Sequence, residues 1–283
     1  MNKATLLISS PDQKGITAAV TGFVFEHNGN ILHADQHIDD QKNVFFMRVV
    51  WSLEGFDLPR EQMAAAFEPL AKKFKMEWQL SFSDTVERLA IFVSRHVHCL
   101  YDLLYRYKEG QFRCQIPLII SNHPDARPIA EHFGIRYEVF PITSETKKEQ
   151  EEKELKLLAE ERVDCIALAR YHQILTGGFV EKFSNRIINI HHSFLPAFAG
   201  KNPYAQAYQK GVKLIGATSH YVIEALDQGP IITQDTVRVS HRDTLQDLKH
   251  KGEDLEKAVL ARAVKLHLER KILTFNNKTV IFD

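Results

Sequence analysis

Apolar positions follow one rhythm up to about residue 84 and another beyond it. Residues 4 to 9 form a strand-like run, and Asp12 to Gly15 lead into a helical pattern with Ile16, Ala19, Val20, Phe23 and Val24 on one face. Asn28 and Gly29 stop that helix. Two period-two runs, 31–38 and 44–51, flank the polar turn Asp39 to Lys42 and predict a hairpin. Pro59 marks a helix start, and Met63, Phe67, Leu70 and Phe74 recur at the period of one buried face before a last strand at about 76–82. The order βαββαβ predicts a split βαβ sandwich. From Arg88 onward, strand-like runs (89–94, 116–121, 137–140, 164–169, 186–191) alternate with helical ones, the grammar of a parallel sheet covered by helices. The charge-dense stretch 145–162 is expected to be a solvated helix with Leu155 and Leu158 turned inward, and a long helix over roughly 245–270 closes the domain. A boundary falls at Ser83 to Glu87, giving domains 1–84 and 85–283.

Composition narrows the class. The 283 residues are 44% hydrophobic and 25% charged, as in ordinary globular proteins, and 36 basic residues balance 36 acidic ones. Without a basic excess, neither nucleic acid nor an anionic membrane surface is expected as a partner. No run approaches the roughly 18 apolar residues of a membrane span, and the first ten residues lack a signal-peptide core. Cys99, Cys114 and Cys165 are far apart and odd in number, which predicts buried thiols in a reducing cytoplasm rather than disulfides.

Two stretches carry chemistry. In Ile187–Pro196 an apolar strand ends in polar residues; Asn189 and His191, two apart, project to the same side at the carboxyl end of a parallel strand, where open α/β sheets bind ligands. In the second, Gly216 to Ile232, a strand returns through a tight turn in which Asp227 precedes Gln228–Gly229–Pro230. Taken alone, Asp227 reads more readily as an Asx-turn residue. If the turn lies over the first edge, an amide donor, an imidazole and a carboxylate meet. That set suits polarising a carbonyl and activating water.

The Asn-Ile-His and Ser-Phe-Leu-Pro pieces at 189–196, with His220 and Leu226–Pro230, resemble the catalytic signature of the 10-formyltetrahydrofolate formyl-transfer family over about residues 85–283. The resemblance implies a Rossmann-like formyltransferase domain with a mostly parallel sheet, in which Asn189, His191 and Asp227 handle the formyl group. It places the folate pocket at Tyr171, His172, Gln173 and Leu175, and at His220, Ile223, Glu224 and Leu226. Residues 1–84 resemble an ACT (ferredoxin-like) domain. That implies an amino-acid effector and assembly into a homo-oligomer, since ACT strand edges invite pairing.

A glycine-rich loop after the first catalytic strand holds phosphate in members of that family with a phosphorylated acceptor. Here the place reads Ser94 to Leu100, with two histidines and no glycine before Gly110. The acceptor is therefore expected to be water, with 10-formyltetrahydrofolate as substrate, formate and tetrahydrofolate as products, and no further cofactor. Formate so released would serve one-carbon and purine metabolism. Neither phosphate nor tRNA is expected as part of the acceptor. Three other readings stand beside this one: formyl transfer to an unphosphorylated amine, a catalytically silent amino-acid sensor, and a metal hydrolase. The retained trio argues against the second. Histidine pairs at 96/98 and 191/192 without zinc-site spacing argue against the third, so no metal is expected.

Overall fold

The period-two runs at the start become strands β1 (Lys3–Pro11), β2 (Asn30–Asp39), β3 (Val44–Ser52) and β4 (Glu77–Phe82), with helices α1 (Ile16–Glu26) and α2 (Arg60–Phe74) between them. These elements belong to a computed structural model that describes residues 2–197 and 202–283. The sheet order is β2-β3-β1-β4, with β1 antiparallel to both neighbours. One sheet face and the two helices bury Leu6, Ile8, Met47, Val49, Trp51, Ile16, Val20, Met63 and Phe67 together. On α2 the third inward position is Ala71, 3% exposed, while Leu70 is only partly buried: the face turns at spacings of four, four and three.

The alternating region yields β5 (Glu87–Val93), α3 (His98–Lys108), β6 (Cys114–Gln115), β7 (Leu118–Ser121), α4 (Arg127–His132), β8 (Arg136–Val139), α5 (Lys147–Glu160), β9 (Cys165–Ala169), α6 (Gly177–Lys182), β10 (Ile187–His191), α7 (Pro203–Lys210), β11 (Leu214–Tyr221), β12 (Ile231–Arg238) and α8 (Leu245–Leu268). The sheet runs β12-β11-β10-β9-β5-β7-β8, with β6 beside β5. Strands β10, β9, β5, β7 and β8 are mutually parallel, whereas β11 and β12 are antiparallel additions. The central strands are apolar on both faces, as a sheet covered on both sides requires. All three cysteines are buried and free. Burial lifts their thiol pKa values, Cys114 to about 12, which makes them inert packing groups.

Two features depart from the sequence reading. Helix α5 turns Leu158 inward as expected, but Glu151 and Glu154, one turn apart on the same face, are buried as well, at 4% and 0% exposure. Beyond α8 the chain forms a further hairpin, β13 (Ile272–Phe275) and β14 (Lys278–Ile281), turned by the left-handed Asn276 and Asn277. By contact density Met1–Val86 with Arg270–Leu273 and Val280–Asp283 make one unit, and Glu87–Glu269 with Thr274–Thr279 the other. No described helix is long and apolar enough to cross a membrane.

Candidate active site

β10 is built by Ile187, Ile188 and Ile190, all buried, and its polar Asn189 and His191 share one side. Antiparallel pairing with β11 sets Asn189 directly opposite His220 and His191 opposite Thr218. The register of β11 with β12 shifts between Ser219 and His220, where Ile232 of β12 is the extra residue. Asn189 Nδ2 lies 3.3 Å from His220 Nε2, and His220 Nδ1 lies 2.9 Å from the Tyr221 carbonyl oxygen. The carbonyl accepts only, so Nδ1 carries the hydrogen. In neutral His220, Nε2 then accepts from one Asn189 N–H and leaves the second for a ligand.

The turn after β11 brings Asp227 onto this edge. Its carboxylate sits 3.3 Å from His191 Nδ1 and 3.7 Å from His220 Nε2. Hydrogen bonding from His191 first of all holds the carboxyl well below the ordinary carboxylate range, so Asp227 is an anion at neutral pH. His191 is 6% exposed, and its Nε2 is buried without a hydrogen-bond partner among the described residues. Asp227 adopts a left-handed backbone (φ 55°), a conformation that costs a non-glycine residue about 1–2 kcal/mol and persists where the surroundings impose it. Those surroundings include the C-terminal hairpin: Asn277 Nδ2 donates to the Gln228 carbonyl oxygen at 2.8 Å and Thr279 Oγ1 to that of Ile231 at 2.5 Å.

The loop after β10 is pinned from β11 and β12. Thr218 Oγ1 accepts from the Leu195 amide at 3.0 Å and donates to the Ser193 carbonyl oxygen at 2.9 Å, while Gln234 Nε2 donates to the Leu195 carbonyl oxygen at 3.0 Å. The opposite wall follows β9. Ser94 Oγ accepts from the His172 amide at 3.1 Å and donates to Asn122 Oδ1 at 2.7 Å. The two buried glutamates of α5 hold this wall from below. Glu151 accepts from the Thr176 amide at 3.1 Å and from its hydroxyl, and Glu154 accepts from the Tyr171 hydroxyl at 3.2 Å. Burial lifts the Glu154 pKa to about 8, so the group is largely protonated at neutral pH and avoids an unpaired buried charge.

These walls enclose a cavity of about 410 Å³, within the range of small-molecule sites. Asn189, His191 and Asp227 line it, as do Tyr171, His172, Gln173, Leu175, His220, Ile223, Glu224 and Leu226, so every residue singled out from the sequence faces one space. Tyr171 and Leu175 are buried, whereas Ile174 and Leu226, 56% and 58% exposed, are apolar groups left open to solvent. Sequence reasoning missed Arg170 and His192, which also line it. Nothing local distinguishes them: Arg170 follows a strand like any surface cation.

A second cavity, of about 430 Å³, is bordered by His96 and His98, both from the glycine-free stretch that follows β5. Buried Glu256 of α8 accepts from His98 Nε2 at 2.8 Å and from the Tyr204 hydroxyl, with Arg170 at 3.4 Å. Two groups of described residues bring metal-capable atoms within 4.8 Å of one another, Glu87–Cys165–His267 and His98–Cys99–Glu256. Neither includes His191 or Asp227.

Fold and site together define a formyl transferase-type catalytic unit preceded by an ACT domain. The formyl transferase family matches residues 87–264, and the ACT domain family residues 4–71. A formyltetrahydrofolate deformylase of Synechocystis sp. is 54% identical, the match covering 99% of this chain and 98% of that one. The crystal structure of a formyltetrahydrofolate deformylase from Pseudomonas syringae superposes with a TM-score of 0.98 at 43% identity, over 100% of this chain and 95% of that one. A glycinamide ribonucleotide transformylase from Symbiobacterium toebii, 29% identical with a TM-score of 0.66, covers 72% of this chain and is itself covered over 98%. The chain belongs to the formyltetrahydrofolate deformylase family.

Proposed function

We propose that the second unit hydrolyses 10-formyltetrahydrofolate to formate and tetrahydrofolate, with Asn189, His191 and Asp227 as its catalytic residues and the about 410 Å³ cavity as its folate site. The observation that carries this reading is the single carboxylate of Asp227 facing both His191 and His220, beside an Asn189 amide with an N–H to spare. A carboxylate held so far below its usual range is a weak base. Asp227 therefore orients His191 through Nδ1–H and stabilises the imidazolium, and the His191–Asp227 pair takes the proton from water as one acid–base unit. The water oxygen bonds to the formyl carbon while Asn189 donates to the developing oxyanion. The C–N10 bond then breaks, N10 takes the proton back from the His191–Asp227 pair, and formic acid loses its proton to solvent as formate. Amide, imidazole and carboxylate supply every step without a Lewis acid.

Transfer to a phosphorylated acceptor is disfavoured by the imidazoles of His96 and His98 at the second cavity. Residues 1–84 are the candidate regulatory and assembly module: ACT domains typically bind amino acids, and β2 forms an edge of its sheet, open to pairing with a second copy. Three buried free thiols fit a reducing cytoplasm. One assay addresses these points. Full-length protein given 10-formyltetrahydrofolate alone should release formate at a rate unchanged by a strong chelator, and a panel of free amino acids added to the same assay should include at least one that alters it. No formate without an added amine acceptor would sink the hydrolytic reading, and chelator loss restored by one divalent metal would sink the metal-free mechanism.

A further inference from the structure

Two cavities of about 410 and 430 Å³ adjoin in the catalytic unit and share Arg170 and His192. The first holds the catalytic trio; the second has no part in the steps above. Arg170 stands between β9 and the folate wall with a left-handed backbone (φ 64°), and its carbonyl oxygen accepts from the Ser94 amide at 3.3 Å. Its side chain is only 10% exposed. Among the described residues it pairs with Glu256 at 3.4 Å, a carboxylate already shared with His98 and Tyr204. Arg170 Nε is buried and makes no hydrogen bond among the described residues.

A buried guanidinium with an unpaired N–H is costly unless a ligand meets it. Glu256 holds part of the guanidinium and Glu253 also borders the second cavity, but the imidazoles around Arg170 do not compete for it. Burial first, and the Arg170 charge second, lower the pKa of His172 to about 4 and of His192 to about 3, and that of His96 in the same direction. One permanent cation thus stands among neutral imidazoles on the wall between the cavities. A planar monoanion of two oxygens matches a guanidinium edge.

We propose that Arg170 binds the formate product, and that formate leaves through the second cavity while the reduced folate still fills the first. This rests on the hydrolytic reading above, since only hydrolysis makes formate here. It gives the small product a route that the larger one does not block, and it uses the space in which an acceptor would otherwise sit.

The test is product inhibition of the full-length enzyme at constant ionic strength, with sodium chloride as control. Formate should inhibit the wild type at roughly millimolar concentrations, the strength expected for a ligand of three non-hydrogen atoms. Arg170→Gln should raise the half-inhibiting concentration about tenfold or more, the usual loss when a charged hydrogen bond is removed, and Arg170→Lys should retain part of the effect. Lys249 is exposed at the second cavity, so Lys249→Glu leaves the fold intact and should weaken formate inhibition about twofold to threefold through an opposed charge. A wild type that releases no formate would remove the hydrolytic reading itself. Formate release by the wild type with formate inhibition equal in wild type, Arg170→Gln and Lys249→Glu, or with no formate inhibition at all, would overturn the Arg170 site alone.

Discussion

Alanine at Asn189, His191 or Asp227 should each lower kcat by about 100-fold or more while the protein still folds and binds folate. Removing an oxyanion donor such as Asn189 typically costs about 100-fold to 1,000-fold, and removing a general base about as much. The Asp227 variant should match the His191 variant, because an imidazole without its carboxylate loses both orientation and the countercharge for its protonated form. A double variant lacking both should be little worse than either single one, since groups that act as a unit are not additive. Steady-state kinetics decide the matter: more than about a tenth of wild-type turnover at any of the three positions would exclude it from the chemistry. Asp227 also sets a stability signature. Its folded pKa is depressed, so its contribution is complete above the unfolded value near 3.9 and is lost as pH falls toward the folded one. The stability gap between wild type and Asp227→Asn should therefore be constant above about pH 5 and close below about pH 4.

How much of this site was legible in the sequence follows from which contacts are local. Asn189 and His191 are two apart in a strand, so period-two geometry alone puts them on one side. Asp227 reaches His191 only through the pairing of β10 with β11 and a left-handed turn, and no window of sequence contains both events; the family resemblance supplied that link. Arg170 and Glu256 meet across 86 residues, and Glu256 reads as one more charge on an amphipathic helix until α8 is packed. Glu151 and Glu154 mislead for the same reason. Charge-dense helices usually face water, and these two carboxyls are inside because Thr176 and Tyr171 offer donors from a distant loop. The C-terminal hairpin is different. Asn276–Asn277 between two apolar runs is a local turn signal, available in the sequence and overshadowed by the long helix before it.

The second large effect is expected at Gly229, which touches no substrate. A Cβ there would lie 1.7 Å from the Tyr221 carbonyl oxygen and 3.4 Å from His220 Nδ1. That carbonyl is the acceptor that fixes the His220 tautomer, and the Tyr221 amide donates to the neighbouring Pro230 carbonyl oxygen at 2.9 Å. A methyl group would therefore have to part the two strand ends, moving His220 and the Asp227 turn together. Gly229→Ala should cost about 3 kcal/mol or more, because the clash is with backbone that no side-chain rotation relieves. At roughly 2–4 °C per kcal/mol for a chain near this size, Tm should fall by about 6 °C or more. Whatever fraction remains folded should lose kcat rather than folate affinity, since the displaced groups are those facing the formyl carbon. Gly178→Ala is the matched control: its Cβ meets nothing within 4 Å, it lies in α6, and alanine is the better helix former there. It should be neutral or slightly stabilising. A Gly229→Ala enzyme with wild-type Tm and kcat would show that the turn carrying Asp227 tolerates displacement, and the proposed dependence of catalysis on its position would fall.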